Sequence, residues 1–250
     1  MMKFKRILKI AGVGVLVMLV VAFAGLFIWS ATSTYPAGEI ASTALESSSA
    51  VSVSQDRWIV FTPEANPEIG LIFYPGGLVA PEAYAPVLRQ LAERGVFVVV
   101  TPMPLNLAIF NTNAANAVIQ AFPGITDWVL AGHSLGGAAA SIYAENHPNN
   151  IEGLALWDSY PPDSADLSDN DIKAISIYGT TDGTANTDNF EEKKPLLPQD
   201  ATFTPIEGAS HAQFGDYGPQ KGDVVPSISA GEQHERVVAL MLGFIDEVIP

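Results

Sequence analysis

Residues 127–147 read DWVLAGHSLGGAAASIYAENH, and their order decides the architecture. Asp127 to Ala131 has the apolar texture of a short buried strand, and Gly136 to Asn146 that of a helix. Between them stands Gly132-His133-Ser134-Leu135-Gly136-Gly137, a G-x-S-x-G pattern set directly between strand and helix. Such a turn lifts a serine hydroxyl above the end of the strand. The flanking glycines are needed because a Cβ there would strike the neighbouring strand or helix. Gly136, Gly137 and the three alanines after them let the helix approach the sheet closely.

Working outward, the same alternation repeats. Trp58 to Phe61 and Ile69 to Tyr74 read as strands, the second running into Pro75-Gly76-Gly77. Tyr84, Val87, Leu88 and Leu91 fall on one helix face, and that helix stops at Gly95. Val96 to Val100 is a continuous apolar run, the mark of a strand covered on both faces. A helix is expected over Ala114 to Phe122, strands over Ile151 to Trp157, Ile172 to Tyr178 and Thr202 to Ile206, and a last helix carrying Val237, Leu240, Met241, Phe244, Ile245 and Val248. Strands alternating with helices predict an α/β fold, a mostly parallel central sheet with helices on both faces. Sites in such sheets lie beyond the carboxyl ends of the strands.

The amino terminus is of another kind. Residues 1–9 carry Lys3, Lys5, Arg6 and Lys9 and no acid, and Ile10 to Trp29 holds 20 residues without a charge. That length crosses the hydrocarbon core of a bilayer, and the basic flank orients the start of the chain to the cytoplasm. A cleaved signal peptide is the competing reading; its apolar region runs only about 7–15 residues. The expected organisation is a basic tail at 1–9, a single transmembrane anchor at 10–30, a Ser/Thr/Ala-rich linker at 31–50 and one domain at 51–250 beyond the membrane. With the four basic residues of the tail set aside, 8 basic face 27 acidic residues, a net charge of −19. Such a domain repels phosphate backbones, which excludes nucleic acid as a partner. Cysteine is absent, so thiolate nucleophiles and disulfides are excluded.

A serine hydroxyl needs a base. Of the four histidines, His133 lies inside the turn itself, His147 ends a helix before Pro148, and His234 stands among Glu232, Gln233 and Glu235 on the polar face of the last helix. His211, in the loop Gly208-Ala-Ser-His-Ala-Gln-Phe-Gly215 after the last strand, is the expected base. The base needs a carboxylate to fix its tautomer. Asp182, in Gly179-Thr-Thr-Asp-Gly183, is preferred because its strand adjoins the one leading to His211; Asp158, ending Leu156-Trp157-Asp158, is the alternative acid. Both keep the order Ser, Asp, His. Asp216 is a further competitor for the histidine. For a developing oxyanion, the amides of Leu135 and Gly77 are the expected donors, with Leu78 in reserve. No metal is expected: Asp182-x-x-x-Asn186-x-Asp188 lacks the central glycine of a Ca²⁺ loop, and Lys193 stands where its bidentate glutamate belongs. The acids Asp166, Asp169 and Asp171 read as a solvated loop.

The motifs YPGG at 74–77, GHSLGG at 132–137, YGTTDG at 178–183 and GASHAQFGDYG at 208–218 together resemble the α/β-hydrolase superfamily over roughly residues 50–250. The nearest likeness is to small bacterial esterase-like members related to dienelactone hydrolases, which use cysteine where this chain has Ser134. The resemblance implies nucleophile Ser134, acid Asp182, base His211 and oxyanion donors Leu135 and Gly77, working on a small-molecule ester without a cofactor. Thioester cleavage or acyl transfer would use the same parts, and a non-catalytic surface-binding domain of this fold is the rival reading. Residues 159–171 are too few for a cap domain, so an open site is expected.

Overall fold

A computed structural model describes residues 2–181, 187–220 and 222–249; the side chains of residues 2–11 and 187–189 lie outside that description. The chain divides into two units, Met1–Thr34 and Tyr35–Pro250. The first is one helix, α1 (Met2–Ser33), of which Gly12–Ser33, 22 residues, is long and apolar enough to cross a membrane.

The second unit is built on eight strands: β1 (Val51–Gln55), β2 (Ile59–Pro63), β3 (Ile69–Tyr74), β4 (Phe97–Val100), β5 (Asp127–His133), β6 (Gly153–Trp157), β7 (Lys173–Gly179) and β8 (Thr202–Ile206). They form one sheet in the order β1-β2-β4-β3-β5-β6-β7-β8. The pairs β1–β2 and β2–β4 are antiparallel and the rest parallel. Helices α2 (Glu39–Ala44), α3 (Ala85–Ala92), α4 (Ala114–Ala121), α5 (Leu135–Asn146), α6 (Thr187–Lys193) and α7 (Ala230–Val248) complete it.

Alternation along the strands explains both faces. Val98 and Val100 pack with Leu88 and Leu91 of α3 and Val237 and Met241 of α7. Val99, between them, packs with Val118 of α4 and Ala140 and Tyr143 of α5. Each such buried aliphatic side chain contributes about 1.5–3 kcal/mol, so a four-residue apolar strand anchors two layers. Residues 159–172 form turns only, without helix or strand, as expected of a domain with no cap.

Two local expectations change. The stretch 35–50 is folded onto the domain rather than forming slack linker. Tyr35 forms a parallel bridge with Val79, Gly38 N–H donates to the Asp216 carbonyl (2.7 Å), and Ala41 N–H donates to Asp216 Oδ2 (2.8 Å). Arg89 reaches across to the carbonyl of Ala44 (3.0 Å) and to Ser48 Oγ (2.8 Å). The cause is long-range: a backbone poor in local pattern is held by two charged side chains far away in sequence. Likewise, Gln233 and His234 are not on a polar face of α7 but buried against the domain, and burial lowers the His234 pKa from its ordinary value.

Candidate active site

The site grows from the carboxyl ends of β5 and β6. Their register pairs His133 with Trp157, so the next residues, Ser134 and Asp158, leave the sheet side by side. Both take left-handed backbone, φ 51° at Ser134 and φ 45° at Asp158. For side-chain-bearing residues such conformations cost about 1–3 kcal/mol each and persist only where the surroundings impose them. Here the surroundings are identifiable. Ser134 N–H donates to the Trp157 carbonyl (3.1 Å), Ser159 Oγ donates to the Ser134 carbonyl (2.7 Å), and Asp158 N–H donates to the Ile177 carbonyl (2.7 Å). A Cβ on Gly132 would stand 2.5 Å from the backbone of Gly136, and one on Gly136 would overlap the Tyr74 carbonyl. The glycines are therefore what lets strand, turn and helix close on one another.

His211 follows β8, at the head of the short turn Ala212–Phe214. Its Nδ1 is 3.0 Å from Asp158 Oδ2, and both side chains are buried, 8% and 2% exposed. A carboxylate at Nδ1 holds the proton there and makes Nε2 the basic nitrogen. The partner seen on His211 is thus the alternative acid, Asp158. Asp182 lies outside the described residues. Asp216, the third candidate, spends its carboxylate on Ala41 N–H. The backbone beside His211 is clamped by Gln233, whose Oε1 accepts from Ser210 N–H (3.1 Å) and whose Nε2 donates to the Ser210 carbonyl (2.9 Å).

The donors for an oxyanion can be sorted in the same way. Leu135 opens α5, where a helix leaves its first amides without partners of its own. In the loop after β3, Gly76 N–H donates to Tyr84 Oη (3.0 Å) and Leu78 N–H to the Asn106 carbonyl (2.7 Å). Leu78, the reserve donor, is therefore occupied. Between them, Gly77 N–H has no acceptor among the described residues, and a Cβ built on Gly77 would sit 3.0 Å from Leu135 Cδ2, so the two residues adjoin.

Sequence reasoning missed the group that ties these pieces together. Tyr84, expected only as a helix-face residue, is buried; its hydroxyl accepts from Gly76 and lies 2.8 Å from His133 Nδ1. Burial raises its pKa far above the ordinary phenol value, so its hydroxyl stays neutral. The His133 ring in turn packs on His211, centroids 4.4 Å apart, and on Phe214 at 5.5 Å. The loop of Gly77, the turn of Ser134 and the ring of His211 are thus linked through one phenol. Tyr84→Phe removes this link inside the core, where a lost buried hydrogen bond costs about 1–3 kcal/mol. Thermal unfolding followed by circular dichroism is expected to show a melting temperature roughly 2–10 °C lower; an unchanged value would show the link to be idle. The remaining histidine, His147, bonds Asn113 Oδ1 (3.1 Å), away from these groups.

Ser134, Leu135, Asp158, Ser159 and His211 line one cleft of about 310 Å³. A serine on a strained turn and a buried imidazole–carboxylate pair share it. The alpha/beta hydrolase family model matches residues 70–235, more than half of the chain and all of these groups. The chain belongs to the alpha/beta hydrolase family. Solved structures of similar fold include one of LipS and LipT, two metagenome-derived lipolytic enzymes (14% identity, 73% of this chain and 95% of that one, TM-score 0.55). Others are Est1E from Butyrivibrio proteoclasticus (15%, 79% and 99%, 0.56) and MGS-MChE2, an alpha/beta hydrolase enzyme from a lagoon-sediment metagenome of Mar Chica, Morocco (18%, 79% and 98%, 0.56). At these identities the likeness is one of fold. No curated protein matches the sequence. In this alpha/beta hydrolase, Ser134 thus follows β5, Asp158 follows β6, and His211, in contact with Asp158, lies in the loop after β8.

Proposed function

We propose that this alpha/beta hydrolase cleaves carboxylic esters through an acyl-enzyme on Ser134. The observation that carries the reading is the buried His211 Nδ1–Asp158 Oδ2 pair in the same cleft as a serine held at φ 51°. Ser134 Oγ attacks the ester carbonyl while His211 Nε2 takes its proton; the amides of Leu135 and Gly77 receive the oxyanion. His211 then returns the proton to the leaving alkoxide, and water, deprotonated by the same nitrogen, releases the acid and regenerates the serine. Asp158 is the positioning carboxylate, in place of Asp182: its neighbour relation to Ser134 through β5 and β6 puts it on the histidine. The lipolytic enzymes among the structural neighbours favour an ester over a peptide as substrate. The 22-residue span in α1 and the basic residues before it favour a single-pass anchor with the domain outside the cytoplasm.

A fluorophosphonate probe tests the nucleophile directly, because serine displaces its fluoride only when activated. The full chain in detergent is expected to take up one label, mapped by peptide mass spectrometry to Ser134, with none in Ser134→Ala. Folded protein that takes no label would refute the assignment.

A further inference from the structure

Beyond the reacting groups, three side chains with hydrogen-bonding capacity line the Ser134 cleft among the described residues: Ser159, whose hydroxyl hydrogen goes to the Ser134 carbonyl, Tyr160, two residues past Asp158, and Gln220, from the loop after β8. Leu135 and Ala138 are its aliphatic walls. A space of about 310 Å³ is at the small end for a ligand site and poorly suited to a long acyl chain.

Gln220 is held in place more firmly than a turn residue requires. Its backbone N–H donates to Asp223 Oδ2 at 2.6 Å, and its carbonyl accepts from Asp223 N–H at 3.1 Å. Its side-chain Nε2 donates to Tyr217 Oη at 3.3 Å. Tyr217 is itself buried, packed on the Tyr84 and Tyr35 rings. One amide hydrogen is thereby spent, while the second hydrogen and Oε1 remain for hydrogen bonding in the cleft. A polar group pre-oriented in this way binds a partner without the entropic cost of ordering itself, and it disfavours a ligand that leaves it unpaired.

We propose that Gln220 is a specificity-determining residue, and that the substrate is a small ester bearing a hydroxyl or similar hydrogen-bonding group near the scissile bond. The assignment rests on the proposed ester hydrolysis at Ser134. Asp223 and Tyr217 are its positioning residues.

The test compares three esters of similar size by pH-stat titration with the full chain in detergent. They are ethyl butyrate, ethyl 3-hydroxybutyrate (both enantiomers) and 2-hydroxyethyl butyrate, which place a hydroxyl on neither side, the acyl side and the alcohol side. At least one hydroxylated ester is expected to exceed ethyl butyrate about tenfold in kcat/KM, a difference of about 1.4 kcal/mol. Gln220→Leu is expected to erase that preference, bringing the hydroxylated esters and ethyl butyrate to the same kcat/KM within about twofold of one another. Tyr217→Phe, which keeps the ring packing and loses only the hydroxyl, is expected to reduce the preference about threefold and decides the matter if Gln220→Leu does not fold. Equal rates on all three esters in the wild type, or an equal fall on all three in Gln220→Leu, would overturn the assignment and leave the hydrolase reading standing. Turnover that persists in Ser134→Ala, or no turnover of any ester, would overturn both.

Discussion

Asp158→Asn is expected to lower kcat/KM on p-nitrophenyl butyrate about 10³–10⁴-fold, with the fold intact. Asparagine fills the same volume, but its amide NH₂ facing Nδ1 stabilises the opposite tautomer, with the proton on Nε2. That nitrogen then has no lone pair to receive the serine proton. The carboxylate also balances the imidazolium that forms as Ser134 attacks, and a neutral amide does not. The parallel variant Asp182→Asn is expected to stay within about threefold of wild type, since Asp158 already occupies Nδ1 of the base. The pair discriminates sharply: collapse in Asp182→Asn with activity kept in Asp158→Asn would reverse the assignment of the acid.

Gly136→Ala is expected to be the most damaging single methyl in the molecule. An added Cβ there overlaps the Tyr74 carbonyl and lies 2.5 Å from that of Pro75. Both obstacles are backbone, at the end of the central strand β3, and no rotamer change relieves them. Relief requires α5 to move off the sheet, which exposes the Ala139–Ala140–Tyr143 contact face and tears the turn at Ser134. A cost of about 4 kcal/mol or more is expected, lowering the melting temperature by roughly 8–16 °C or leaving the protein insoluble. Gly243→Ala in α7 is the internal control. It is exposed, nothing stands within 4 Å of its Cβ position, and alanine is expected to stabilise that helix by up to about 1 kcal/mol. Equal melting temperatures for the two variants would contradict this account of the turn.

The parallel core was readable because strands covered on both faces leave unbroken apolar runs, as in Phe97 to Val100, and because Gly132 to Gly137 marks its turn by composition alone. The choice of acid was not readable. Asp158 and Asp182 both follow strands, and what separates them is which strand lies beside β5, a matter of sheet order that no local pattern encodes. The edge strand β1 was missed because only Val51 of its five residues is buried. By contrast, the burial of Gln233 and His234 had a legible signal: Val237 and Val238 stand four residues on, one helical turn further along the same face. The two acids around those residues, Glu232 and Glu235, outweighed that spacing. Tyr84 had no signal of its own, since a tyrosine on an apolar helix face reads as packing until its hydroxyl partners are known.

Under the proposed anchoring by α1, the binding of residues 35–48 into the domain also governs how a free form could arise. A protease needs a run of backbone that can be drawn out into its groove, and such runs occur where the chain is unbonded. From Tyr35 onward the backbone is engaged with Leu78, Asp216 and Arg89 in turn. Shedding of an intact domain therefore has to begin at or before Tyr35. Cleavage nearer to β1 would strip away a belt that braces the loop of Gly77 on one side and the loop of Asp216 on the other, releasing a fragment already weakened at its catalytic rim.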